Sequence, residues 1–142
     1  QGAKALDIPI IWVEQYPEGL GGTVPEVARH LDGKPVEKVT FNSCLNEEFV
    51  TALSSYKRPQ AMVVGIETHI CVYQTVLGML AADYDVHVIA DGVSSRTEDN
   101  KLIGREKMKV GGAHITSTET ALFELVQIAT VPEFKEILKL VK

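Results

Sequence analysis

The chain has 142 residues, 45% of them hydrophobic, with 19 acidic and 14 basic side chains and a formal net charge of −5. That length bounds one domain, 1–142, with an ordinary core. The acidic balance and the scattered Lys and Arg argue against a nucleic-acid or polyanion surface, and no apolar run approaches the roughly 20 residues of a membrane span.

Gln1 to Leu6 reads as the last turns of a helix and lacks the basic start and apolar core of a secretory leader. Ile8-Pro9-Ile10-Ile11-Trp12-Val13 is a continuous apolar, β-branched run, the pattern of a strand covered on both faces. Glu14 to Thr23 follows as a long loop, marked irregular by Pro17 and three glycines. Val24 to Leu31 predicts a short helix, capped by Thr23 with Pro25 in its first turn. Pro35 to Phe41 predicts an edge strand, because it carries charge, and Asn42-Ser43-Cys44 a turn. Asn46 caps the next helix, with Phe49, Val50 and Leu53 inward.

Ala61 to Ile66 predicts a buried strand, and a helix from about His69 to Tyr84 follows it. Asp85 to Ala90 is a further strand, ended by a turn at Asp91-Gly92-Val93. Ser95-Arg96-Thr97-Glu98 and Thr116-Ser117-Thr118-Glu119 are read as capping boxes on two helices, with a short strand at Ala113 to Thr116 between them. Pro132 opens a final helix with Phe134, Ile137, Leu138 and Val141 on one face. Steady alternation of strand and helix predicts the fold class: α/β, a doubly wound parallel sheet of five strands with helices on both faces, a Rossmann-like three-layer sandwich.

In such a sheet, ligands bind at the carboxyl ends of the strands. Cys71 sits there, at the start of a helix, where free N–H groups and the helix dipole favour a thiolate. It is either a nucleophile or a packed small hydrophobe. Lys38, near the end of a neighbouring strand, could hold a substrate carboxylate, favour the thiolate or shuttle a proton; the alternative is a solvated strand lysine. The amides of Glu67 and Cys71 could form an oxyanion hole. Glu67 could also supply a carboxylate or cap the helix. His69 is a thiol base or a packing residue, and Thr68 lies in the same turn. Tyr16, Trp12 and Phe41 could line an apolar pocket or belong to the core. Asp91 is expected to bond to backbone and Cys44 to pack in its turn. His30, His69, His87 and His114 are read as isolated, so no structural or catalytic metal and no cofactor is expected.

Three stretches then carry a family likeness: Trp12 to Gly21 with Thr23-Val24-Pro25-Glu26; Lys38 with Phe41 and Ser43; and Gly65 to Val72 continuing through Gln74-Thr75, with Ala90 to Arg96 later. On these the chain resembles the isochorismatase-like family of cysteine hydrolases, which includes the nicotinamidases. The Glu-Gln-Tyr-Pro loop resembles the isochorismatase-domain subgroup, whose substrates are mostly unassigned. The resemblance implies a Cys–Lys–Asp triad with Cys71 as nucleophile and Lys38 as its lysine. It implies a non-proline cis peptide at Ile66–Glu67 and an oxyanion hole from the Glu67 and Cys71 amides; the candidate substrate pocket, read from the residues, takes in Tyr16, Phe41, Thr68 and His69. The triad aspartate of the family lies on a central first strand upstream of Gln1, so the chain is expected to be incomplete at its N-terminus. The Asp-x-His-x-x-His run of nicotinamidases has no match between Trp12 and Lys38. The expected function is hydrolysis of a small amide or related C–N or C–O substrate through a thioester, in a cytoplasmic homo-oligomer without nucleic-acid or membrane partners. The two cysteines, Cys44 and Cys71, fit that reducing setting better than a disulfide scaffold. The alternative is a non-catalytic oligomeric scaffold or partner-binding protein that retains the fold.

Overall fold

Five short parallel strands and eight helices alternate along the chain in a computed structural model that describes residues 1–141. The strands are β1 (Val13–Gln15), β2 (Val36–Lys38), β3 (Gln60–Ile66), β4 (Asp85–Ser94) and β5 (His114–Thr116). The helices are α1 (Gly2–Ala5), α2 (Pro17–Leu20), α3 (Pro25–Ala28), α4 (Glu47–Ser55), α5 (Tyr73–Ala81), α6 (Glu98–Val110), α7 (Thr118–Val126) and α8 (Pro132–Leu140). β1 pairs with β2, and β3, β4 and β5 form a second ladder in that order, every pair parallel. The α/β fold with helices on both faces holds. The five predicted strands form two ladders, the break falling between β1 and β3, where the resemblance implies a further central strand; among the described residues β1 pairs only with β2.

Side-chain alternation decides the layers. Val86 and Val88 of β4 face one way and join Val72, Val76 and Met79 of the helix after β3, Met108 of α6 and Phe49 of α4 in the main core. Ile89 faces the other way, toward the side of β4 on which α7 packs, and α7 and α1 in turn pack on α8. Ile137 of α8 is fully buried there, as the apolar stripe of that helix predicts.

Several boundaries move, each for a physical reason. β1 occupies Val13–Gln15, later than the Ile8–Val13 run, because β2 offers partners only there. Glu14 and Gln15 are therefore strand residues and Pro17–Leu20 a helical turn, so the predicted loop is shorter. Thr23 caps nothing: its hydroxyl accepts from Trp12 Nε1 at 2.7 Å, its N–H donates to Glu14 Oε1 at 2.6 Å, and Val24 stands at the N-cap of α3. Asn46 does cap α4, accepting from the Phe49 N–H at 2.9 Å; Phe49 is buried and Leu53 half-buried, but Val50 points outward. β3 is covered on one face only, for Met62, Val64 and Ile66 are exposed while Ala61 and Val63 pack on the core. β4 runs on through Asp91-Gly92-Val93 to Ser94, where a turn was predicted, because a register shift at Val63/Gly65 lets Val93 pair with Gly65. Both capping boxes shift. Thr97 caps α6 by accepting from Asn100 N–H, and Ser117 caps α7 by accepting from Thr120 N–H. Ser95 is thereby released for the turn after β3.

Candidate active site

The site is built where β1, β2 and β3 end. Gln15 and Lys38 are register partners on β1 and β2, so their side chains leave the same face of the ladder side by side. Lys38 is 6% exposed and its ammonium is fully engaged. It donates to Gln15 Oε1 at 2.5 Å, to the Thr40 carbonyl at 2.8 Å and to the Phe41 carbonyl at 3.2 Å. Gln15 is fixed from its other end by Nε2, which donates to the Val39 carbonyl at 2.9 Å. Burial disfavours the charged lysine and pulls its pKa below the usual range, and attraction to a Cys71 thiolate opposes that.

Cys71 enters from β3. Gly65 has φ +124°, a conformation that suits glycine and strains any other residue. The Ile66–Glu67 peptide is cis. Thr68–Val72 then forms a single π-type turn that runs into α5. This places the half-buried Cys71 with its thiol directed at Gln15 Oε1, 3.8 Å away, so one amide oxygen faces both the thiol and the lysine.

The turn itself is held from β4 and α6. Thr68 is fully buried; its hydroxyl donates to the Ser94 carbonyl at 2.8 Å and its N–H to Ser95 Oγ at 3.1 Å. Thr68 is thus a strut between β3 and β4, and its hydroxyl is used there rather than in a substrate pocket. His69 Nδ1 lies 3.0 Å from the same Ser95 Oγ and 3.7 Å from Glu67 Oε2, which occupies the imidazole within the turn. Glu67 does not cap the helix. Its Oε2 accepts from the Arg96 backbone N–H at 3.2 Å and from Arg96 Nε at 3.3 Å. Tyr16, in a left-handed conformation, and Phe41 are both about half exposed beside the Gln15–Lys38 pair. Trp12 is half-buried and tied to Thr23.

Residue reading alone missed Gln15, Ser95 and Arg96 as members of the site. Gln15 had a signal: it lies two residues after a β-branched run, at a strand's carboxyl end. Ser95 was assigned to a cap, and only the position of α6 frees it. Two expected bystanders behave as such. Asp91 Oδ1 accepts from the Thr118 N–H at 2.8 Å, which holds its carboxyl below the usual range. Cys44 is a free, half-buried thiol whose pKa burial pushes up. The reading of four isolated histidines is corrected. Asp85-Val86-His87 is itself an Asp-x-His pair, and β5 brings His114 alongside, its ring stacked on that of His87 at 4.9 Å between centroids.

The isochorismatase domain family matches residues 1–120. The chain is 41% identical to a secreted isochorismatase effector of Phytophthora sojae, over 99% of this chain and 69% of that protein. It is also 41% identical to isochorismatase domain-containing protein 2 of Xenopus laevis, over 99% of this chain and 68% of that protein. Among solved structures, a Caenorhabditis elegans protein described as a ribonuclease superposes with a TM-score of 0.89 at 37% identity, covering 99% of this chain and 72% of that one. An octameric Escherichia coli hydrolase of unknown specificity shares the fold, with a TM-score of 0.84 at 22% identity over 97% of this chain and 76% of that one.

Proposed function

The chain belongs to the isochorismatase family of hydrolase-type domains, and from that premise we propose that it is a cysteine hydrolase with Cys71 as nucleophile. The observation that carries this reading is the convergence of Cys71, Gln15 and Lys38 from the ends of three parallel strands, with Gln15 Oε1 at 3.8 Å from the thiol and 2.5 Å from the lysine. A Lys38 ammonium and a Cys71 thiolate attract one another across this site.

In the proposed reaction the Cys71 thiolate attacks the carbonyl carbon of a small amide. The C–N bond breaks, the amine leaves with a proton, and a thioester remains. Water then attacks the thioester, releasing a carboxylic acid and the free thiol. Lys38 stabilises charge at the sulfur. The amides of Glu67 and Cys71 hold the developing oxyanion. The family resemblance supplies the third member, an aspartate upstream of Gln1 that takes the thiol proton. Tyr16 and Phe41, exposed beside the lysine, contribute apolar contact to the substrate. The net charge of −5 favours a small molecule over a nucleic acid, although one structural neighbour is described as a ribonuclease. Self-association is part of the proposal, as the Escherichia coli neighbour is described as octameric. So is residence in a reducing compartment, which the two free thiols favour. Among the described residues no helix is long and apolar enough to cross a membrane.

The test is alkylation by iodoacetamide well below pH 8, followed by turnover of a panel of small primary amides. Rapid modification of Cys71, with Cys71→Ala abolishing turnover, supports the reading. Retained turnover in Cys71→Ala refutes the nucleophile, and an inert Cys71 with no turnover points to the scaffold alternative.

A further inference from the structure

At the opposite end of the second ladder, the strands begin with a different set of ligating side chains. Gln60, Asp85 and His114 are the first residues of β3, β4 and β5, and His87 follows Asp85 by two. The register pairs Gln60 with Asp85 and His87 with His114. Partners in a parallel pair share a face, and residues two apart on a strand share a face, so all four side chains stand together. One donor atom each from Asp85, His87 and His114 lies within 4.8 Å of the others. The Asp85 carboxylate spans the pair: Oδ2 is 3.4 Å from His87 Nε2, and Oδ1 is 3.3 Å from His114 Nε2.

These separations are long for hydrogen bonds. Each is close to the edge of a coordination tetrahedron, about 3.3–3.4 Å for bonds of roughly 2.0–2.1 Å to nitrogen or oxygen; because they reach the two different carboxylate oxygens, a cation here would be held by the carboxylate as a whole, between the two imidazoles. His87 Nε2 is buried and has no hydrogen-bond partner, so this nitrogen is aimed into the cluster without being satisfied there. Gln60 Nε2 donates to Asp85 Oδ2 at 2.8 Å, the outer contact that orients a ligating carboxylate. His114 is largely exposed, which leaves a route in from solvent and room for water as a fourth ligand.

We propose that Asp85, His87 and His114 form a binding site for a divalent first-row transition cation, best suited to zinc. Two imidazoles and one carboxylate are a borderline donor set that suits zinc, copper or nickel better than magnesium or calcium. The site is distinct from the candidate active site. The seven residues of β3 separate the two ends of the ladder, about 20 Å at strand rise. A cation here clasps β4 to β5, so it acts on stability rather than on the chemistry of Cys71.

The experiment titrates the full protein with zinc chloride by calorimetry, after both cysteines are alkylated so that thiols cannot bind the metal, and repeats the titration with cobalt(II) by absorption. The expected result is one ion per chain, a visible cobalt d–d band without thiolate charge transfer, and a raised melting temperature on saturation. His114→Ala and Asp85→Asn should each weaken binding by at least about tenfold, since loss of even an outer partner costs that much. His30→Ala, remote on the chain and outside the cluster, should leave it unchanged. His114 is mostly exposed, so its variant should stay folded, and melting curves of the metal-free proteins check this. The proposal is overturned if wild type binds no ion, or if His114→Ala and Asp85→Asn bind as wild type does.

Discussion

Gly104→Ala tests how the turn that carries Cys71 is held in place. Gly104 is buried in the middle of α6. In a free helix interior, Gly→Ala stabilises by about 1 kcal/mol, because alanine loses less backbone entropy. Here a Cβ would stand 2.8 Å from His69 Cα, His69 N and the Thr68 carbonyl carbon. Contacts between such atoms are optimal at about 3.5–4.0 Å, and a backbone cannot rotate out of the way as a side-chain tip can. Overpacking of this kind costs typically about 1–3 kcal/mol. Taking the upper part of that range, since three backbone atoms are struck, the net is a destabilisation of about 1–2 kcal/mol. For a domain of this size that lowers the melting temperature by roughly 3–8 °C. Gly111→Ala, at the C-cap of the same helix, is the control. Its Cβ meets the Leu77 Cδ2 tip at 2.6 Å, a group that can turn aside, and Gly111 has an ordinary φ of −71°. Thermal and urea unfolding of the two variants decide the matter, and iodoacetamide modification shows whether the Cys71 turn has moved. A Gly104→Ala protein as stable as wild type, or more so, refutes the close-packed account of this turn.

Thr68→Val keeps the shape and deletes the hydroxyl that donates to the Ser94 carbonyl; leaving that acceptor unpaired should cost about 1–3 kcal/mol in urea unfolding. Gln15→Leu removes the shortest acceptor of Lys38 while the Thr40 and Phe41 carbonyls remain, so the urea midpoint should fall by the equivalent of about 1.5–3 kcal/mol. Asp91 has its folded pKa lowered by the Thr118 N–H, so it binds fewer protons folded than unfolded. Its contribution to stability is present above about pH 4, its unfolded value, and is lost as pH falls through the lowered folded value. Asp91→Asn should therefore flatten the acid limb of stability against pH, and an unchanged limb would contradict the assignment. Lys38 acts with the same sign at the other end of the pH scale. Its lowered pKa means the unfolded chain binds the extra proton, so wild-type stability should rise with pH on approaching the ordinary lysine range, a rise that Lys38→Met should lose.

Local pattern alone determined the alternation of strands and helices, the Pro132 start of the last helix and its apolar stripe, and the Asn46 cap. Each depends on neighbours within about four residues, where periodicity and capping chemistry act. The Gly65-to-Cys71 segment, with Lys38, was also legible, because a particular backbone path needs particular residues in order. What tertiary structure decided were the matters of partnership. Which three residues of Ile8 to Gln15 became β1 depended on where β2 lay. Whether Ser95 capped a helix or braced Thr68 and His69 depended on the start of α6. Whether Gln15 mattered depended on its register with Lys38. The same holds at the other end of the ladder. Asp85 and His87 are two apart in the chain and could have been paired on sight, but His114 lies 27 positions further on, and only the β4–β5 register sets its ring on that of His87. Sequence spacing fixes which groups share a strand face; the order and offset of the strands fix which faces meet, and those follow from burial across the whole chain.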